Sequence, residues 1–215
     1  MDIKICGLKT EEAMRAAITA GASHVGFIFF PKSPRNIDPR TASALAALAR
    51  GKGVTTVAVT VDADDAQLQE IVRVVQPDML QLHGSETPER VAEIKARYGL
   101  PVMKVFSVST LSDLVTVDAY RSVADRILFD AKPPAGSDLP GGNGVSFDWT
   151  MLADLDPQLD YMLSGGLNAA NVGEALATAN PPGIDISSGV ESAPGIKDSK
   201  LIEAFFAAAR AGQPA

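Results

Sequence analysis

At 215 residues, with 46% hydrophobic and 21% charged side chains, the chain suits one globular domain with a full core. A formal net charge of −7 argues against the clustered basic surface that nucleic acid or an anionic membrane demands. It still allows a small anionic substrate, which local dipoles and one or two cations can hold. The single cysteine, Cys6, cannot form an intramolecular disulfide and fits a reducing compartment. The opening Met1-Asp2-Ile3-Lys4-Ile5-Cys6 lacks the pattern of a signal peptide, and no apolar run approaches the ~20 residues that span a bilayer. The expectation is a soluble cytoplasmic protein without nucleic-acid, membrane or obligate protein partners.

A first strand is predicted over residues 3–6. Glu11 and Glu12 then open a helix striped by Met14, Ala17 and Ile18 and ended by Gly21. A second strand over 24–29 leads to Asp38-Pro39, an N-cap followed by proline at the first helical position. Residues 56–61 form the third strand, and Leu68, Ile71, Val72 and Val75 share one face of the next helix. Strand four covers 79–82, before Thr87-Pro88 caps another helix. Strands follow over 102–105, 127–130, 161–164 and 183–186. Asn168 is read as the cap of the helix after the seventh. Asp198 caps the last helix, whose inner face is Leu201, Ile202, Phe205 and Phe206. Eight βα units imply a parallel sheet. A closed (β/α)8 TIM barrel over residues 1–211 is favoured over a doubly wound open sheet, with 212–215 a frayed tail.

In a barrel, functional groups gather at the carboxyl ends of the strands. Strand one ends in Cys6, strand six in Asp130, and His83 follows strand four. Alternation places Lys4 with Cys6, Gln81 with His83 and Leu128 with Asp130 on inward faces. A lone buried cysteine is ordinarily a small core hydrophobe. Here inward-facing Lys4 and the nearby helix start are expected to lower the thiol pKa and supply thiolate at neutral pH. Asp130 would ordinarily be a cap or an ion-pair partner, but raised by burial it can act as a general acid. The rate is then expected to rise with pH as the thiol ionises and fall as the carboxyl loses its proton. Gly165-Gly166 after strand seven, with Ser188-Gly189 after strand eight, let backbone amides approach an anion. These two loops together point to a phosphate site. His24 reads as structural, and Trp149 as packed between sheet and helix. No Cys, His and carboxylate cluster has ligand spacing, so no metal is expected.

The strings Lys4-Ile5-Cys6-Gly7, Gln81-Leu82-His83-Gly84 and Gly141-Gly142-Asn143-Gly144 with Phe147-Asp148-Trp149 occur in this order along the chain. They are followed by Leu163-Ser164-Gly165-Gly166-Leu167 with Asn171-Val172. Last comes Asp185-Ile186-Ser187-Ser188-Gly189-Val190-Glu191 with Pro194-Gly195-Ile196-Lys197-Asp198. Together they resemble the phosphoribosylanthranilate isomerase family. Asn143 stands where the family more often has Thr or Ser, and residues 132–139 make a long segment. The resemblance implies a cofactor-free Amadori rearrangement of N-(5-phosphoribosyl)anthranilate in tryptophan biosynthesis. It implies Cys6 as general base, Asp130 as general acid and Arg35 at the anthranilate carboxylate. Asp185 is assigned with the phosphate loops to substrate binding. Arg35, on a loop stiffened by Pro31 and Pro34, is expected to offer a bidentate fork.

Two other readings are weighed. The barrel isomerase of histidine biosynthesis would carry two carboxyls and a phosphate signature in each half, whereas strand one here ends in Cys6 and the glycine-rich loops lie only in the second half. A non-catalytic phosphosugar-binding barrel would have lost the acid–base pair.

Overall fold

The computed structural model describes residues 1–137, 139–153 and 155–212. Eight strands run in chain order: β1 (Asp2–Cys6), β2 (His24–Phe29), β3 (Thr55–Thr60), β4 (Met79–Leu82), β5 (Val102–Val108), β6 (Arg126–Ala131), β7 (Tyr161–Leu163) and β8 (Gly183–Ile186). Each pairs in parallel with the next, and β8 pairs in parallel with β1, so the sheet closes and the open alternative is excluded. Of the expected tail 212–215, Gly212 caps the last helix, its N–H donating to the Ala208 carbonyl, and residues 213–215 fall outside the described residues.

The outer layer holds α1 (Glu11–Ala20), α2 (Pro39–Ala49), α3 (Asp65–Val75), α4 (Pro88–Tyr98), α5 (Val172–Ala179) and α6 (Ser199–Ala211). Their starts follow local chemistry. The side chains of Thr10, Asp38, Asp64, Thr87 and Asp198 accept first-turn amide hydrogens, and Gly21 ends α1 at φ 96°. Among the described residues, no helix is long and apolar enough to cross a membrane.

Three local expectations are corrected. The connections after β5 and β6 wind as 3-10 helix, over Leu111–Tyr120 and Trp149–Leu152. In the first, Asp113 draws in the amides of Ser109 and Thr110 at 2.9 Å each, and Val117 alone is buried, so no apolar stripe drives an α-helix. Asn171, not Asn168, occupies the N-cap position of α5; Asn168 Oδ1 accepts from Ala170 N at 2.8 Å, one turn too early. Leu201 is exposed, because the buried stripe of α6 runs through Ile202, Phe205, Phe206 and Ala209.

Strand alternation sorts the core as expected. Ile3, Ile5, Leu80, Leu82, Ile127 and Phe129 pack outward under the helices. Inside the barrel, Met103, Val105, Leu128 and Met162 form one cluster, and Cys6, Val57 and Val59 another. Lys4 is fully buried. It stands opposite Asp185 across the β1–β8 seam, and their side chains pair at 2.9 Å.

Candidate active site

The carboxyl ends of the strands surround a cavity of about 760 Å³, counting its solvent-open part. Cys6, Arg35, Asp130, Gly165, Gly166, Asp185 and Ser188 all border it. Gly189 lies one residue beyond Ser188, in the 3-10 turn Ser188–Val190. His24 instead sits at the other end of the barrel, near β2's start, with Nδ1 2.8 Å from Ser23 Oγ. Trp149 packs in the core.

The surroundings of Cys6 correct the expectation of a lowered thiol pKa. Burial is the dominant influence and pushes it up, and the Asp185 charge adds to the rise. Lys4 and Lys197 oppose this without overcoming it. Sequence reasoning counted the nearby lysine but not the solvent removed from the sulfur, nor the carboxylate that engages that lysine. Burial also disfavours the Lys4 charge, but Asp185 and Cys6 outweigh it and raise the Lys4 pKa, so its ammonium persists.

Asp130 follows its expected direction. Burial, then the Asp185 charge, push its carboxyl up to about 7, against the bond it accepts from Ala131 N at 2.9 Å. His83 Nε2 lies 3.5 Å from Asp130 Oδ2. Burial, then the charges of Lys104 and Lys4, lower the His83 pKa to about 3. The ring is therefore neutral at working pH, and the contact is not an ion pair. The neutral ring adds no charge that would hold the carboxylate ionised, so a substantial share of Asp130 is protonated near neutrality. Gly141 closes over both groups: a Cβ there would collide with Asp130 Oδ2 and His83 Cε1.

Arg35 is buried, and its fork is already occupied. Nε and Nη2 donate to Glu191 at 2.8 and 2.9 Å, and Nη2 also donates to the Gly142 carbonyl at 3.2 Å. This corrects the expectation of a free bidentate fork. Nη1 remains without an acceptor among the described residues. Glu191 and Lys197 were inside the motif strings, but nothing in those strings shows that they fold back against Arg35.

Gly165 and Gly166 take φ values of 93° and 64°. A Cβ on Gly165 would lie 2.6 Å from Ala131 N, and one on Gly166 would lie 2.7 Å from Val145 C, so both positions exclude larger residues. A Cβ on Gly189 would strike the Leu167 carbonyl oxygen. The amides of Gly165, Gly166, Ser188 and Gly189 have no acceptor among the described residues. Such a group of free amides is suited to an anion. Among the described residues, no three His, Cys, Asp or Glu side chains gather as a metal site.

This arrangement has close counterparts. The family model described as N-(5'phosphoribosyl)anthranilate (PRA) isomerase matches residues 3–208. An N-(5'-phosphoribosyl)anthranilate isomerase of Mesorhizobium japonicum is 68% identical over 99% of this chain and 97% of its own length. The phosphoribosyl anthranilate isomerase of Thermotoga maritima superposes with a TM-score of 0.88 at 33% identity, covering 98% of this chain and 99% of that one. A phosphoribosyl anthranilate isomerase in complex with reduced 1-(o-carboxyphenylamino)-1-deoxyribulose 5-phosphate superposes with a TM-score of 0.85 at 32% identity, with coverage of 98% and 99%. With the Cys6 thiol and the Asp130 carboxyl bordering one cavity, and with these matches along its whole length, the chain belongs to the N-(5'-phosphoribosyl)anthranilate isomerase family.

Proposed function

We propose that Cys6 and Asp130 divide the proton transfers by which this isomerase of tryptophan biosynthesis rearranges N-(5-phosphoribosyl)anthranilate. The observation that carries the division is a buried carboxyl with a pKa of about 7 bordering the same cavity as the thiol. Asp130 gives its proton to the ribose ring oxygen as the C1–O bond breaks and the aniline nitrogen forms an iminium. The iminium acidifies the C2 proton, which the Cys6 thiolate removes. The electron pair moves into C1=C2 and neutralises the nitrogen. The enolamine then takes a proton at C1 and loses one from the C2 hydroxyl, giving 1-(2-carboxyphenylamino)-1-deoxyribulose 5-phosphate. The substrate nitrogen is itself the electron sink.

The free amides of Gly165, Gly166, Ser188 and Gly189 support phosphate binding in the loops after β7 and β8. Arg35 Nη1 supports binding of the anthranilate carboxylate, and Asp185, bordering the cavity, is available to the sugar hydroxyls. The net charge of −7 and the single thiol support a cytoplasmic enzyme without nucleic-acid, membrane or obligate protein partners.

The test is turnover of freshly made substrate, followed by loss of anthranilate fluorescence. Cys6→Ser and Asp130→Asn should each lower kcat by about 10²–10⁴ while the reduced product analogue still binds. Near-normal kcat in Cys6→Ser, with the chemical step rate-limiting, would return Cys6 to a packing role.

A further inference from the structure

Behind Arg35 lies a charge cluster that the reaction scheme does not use. Arg35, Glu191 and Lys197 have side chains only 5%, 4% and 2% exposed. Every Glu191 lone-pair position is filled: Oε1 by Arg35 Nε and by Lys197 Nζ at 2.7 Å, Oε2 by Arg35 Nη2 and by Gly195 N at 3.1 Å. The Lys197 ammonium also spends all three donors, the other two on Ser187 O at 2.8 Å and Ser187 Oγ at 3.2 Å. Gly195 is constrained too: at φ 79°, an added Cβ would lie 2.5 Å from the Pro34 carbonyl oxygen, beside Arg35. The cluster is therefore rigid, and only Nη1 of Arg35 is left to meet a ligand.

The charge count gives this geometry its meaning. An Arg–Glu pair alone is neutral and would offer an anion little. Lys197 restores one net positive charge to the sealed cluster, although neither it nor Glu191 borders the cavity. We propose that Lys197 is a specificity-determining residue: acting through Glu191, it keeps Arg35 effectively cationic and so sets the preference for a substrate whose aromatic ring carries a carboxylate. This rests on the reading that Arg35 receives that carboxylate. Lys197 also reaches toward the base, because Ser187 Oγ donates to the Cys6 carbonyl at 3.1 Å. Effects on Cys6 are shared by all substrates and cancel in a ratio.

The test is the ratio of kcat/KM for phosphoribosylanthranilate to that for phosphoribosylaniline, which lacks the carboxylate. Lys197→Gln keeps an amide donor for Ser187 but makes the cluster neutral; the ratio should fall roughly tenfold, as for one unit charge lost at close range. Glu191→Gln makes the cluster doubly positive and should raise the ratio. Combining the two restores one net charge and should return it toward the wild-type value, whereas a purely structural role predicts that the double variant is the worst of the three. Should Lys197→Gln fail to fold, the rise in Glu191→Gln and the recovery in the double variant carry the test. Arg35→Met separates the layers. If it lowers both substrates equally, the carboxylate reading of Arg35 and this inference fall together. If it is selective but Lys197→Gln leaves the ratio unchanged, this inference alone is overturned.

Discussion

Cys6 and Asp130 are both buried side chains at the border of the cavity, and at both, burial is the largest influence and favours the protonated form. The consequences oppose each other. In the proposed division of roles, an acid must hold its proton until the ring oxygen needs it, so burial prepares Asp130. A base must first lose its proton, so the same burial works against Cys6. Lys4 and Lys197 both favour the thiolate, whereas Lys4 favours the ionised form of Asp130 too and the ring beside that carboxyl is neutral. With the thiol above its ordinary value and the carboxyl at about 7, the resting enzyme with one proton between them carries it mostly on sulfur. The form able to react, thiolate with carboxylic acid, is the minor tautomer. One buried environment thus moves the acid toward the form it needs and the base away from it.

Removing the cation between the pockets should have the largest effect. Lys4 lowers the pKa of Cys6, Asp130 and His83 alike. Lys4→Met should therefore move the whole pH–rate bell to the alkaline side. It also strands the buried Asp185 charge, which typically costs about 3–5 kcal/mol. Urea unfolding would show that loss, and adding Asp185→Asn should recover most of it. A bell that stays in place would show that Lys4 serves the fold alone.

A smaller effect of opposite sign is expected for Asp130. A carboxyl whose folded pKa is about 7 gains protons on folding, so its penalty is absent below pH ~4, grows as pH rises toward 7, and is complete above that. Asp130→Asn should consequently be more stable than wild type at pH 8, by at most about 4 kcal/mol, and no more stable at pH 4. Equal stability at both pH values would mean that the carboxyl is not held protonated, and the contrast between the pockets would collapse.

Much of this was legible in the sequence, and the limits have physical causes. Period-two alternation placed Cys6 and Asp130 inside the barrel because the pleat permits only two faces. Proline and acidic residues at helix starts marked α2 and α4 because capping is local chemistry. The 3-10 connection over Leu111–Tyr120 was missed because Asp113 competes for backbone amides in a way no apolar pattern registers. The sign of the Cys6 shift was missed because desolvation depends on everything packed around the sulfur, whereas the neighbouring lysine is visible two residues away. The Arg35–Glu191–Lys197 cluster joins groups far apart in the chain, with 156 residues between Arg35 and Glu191, and only the closed barrel brings it together.

The finest test of the contrast is Ser164→Ala. The Ser164 side chain lowers the Asp130 pKa, so deleting its hydroxyl should raise that pKa, by about half a unit for one exchangeable neutral interaction. In the ordinary order of titration, with the base below the acid, Asp130 would own the descending limb of the pH–rate profile, as the sequence alone suggests. The upward shift of the Cys6 thiol, against a carboxyl at about 7, reverses this. The reactive tautomer is a fixed fraction of the singly protonated enzyme, whose population rises as Asp130 ionises near pH 7 and falls as Cys6 ionises above it. Ser164→Ala should then shift the ascending limb to higher pH and leave the descending limb still. It should also raise the plateau about threefold, because a half-unit rise brings the two pKa values closer and enlarges the minor tautomer by that factor. Movement of the descending limb instead, with an unchanged plateau, would restore the ordinary order and remove the asymmetry between the two pockets.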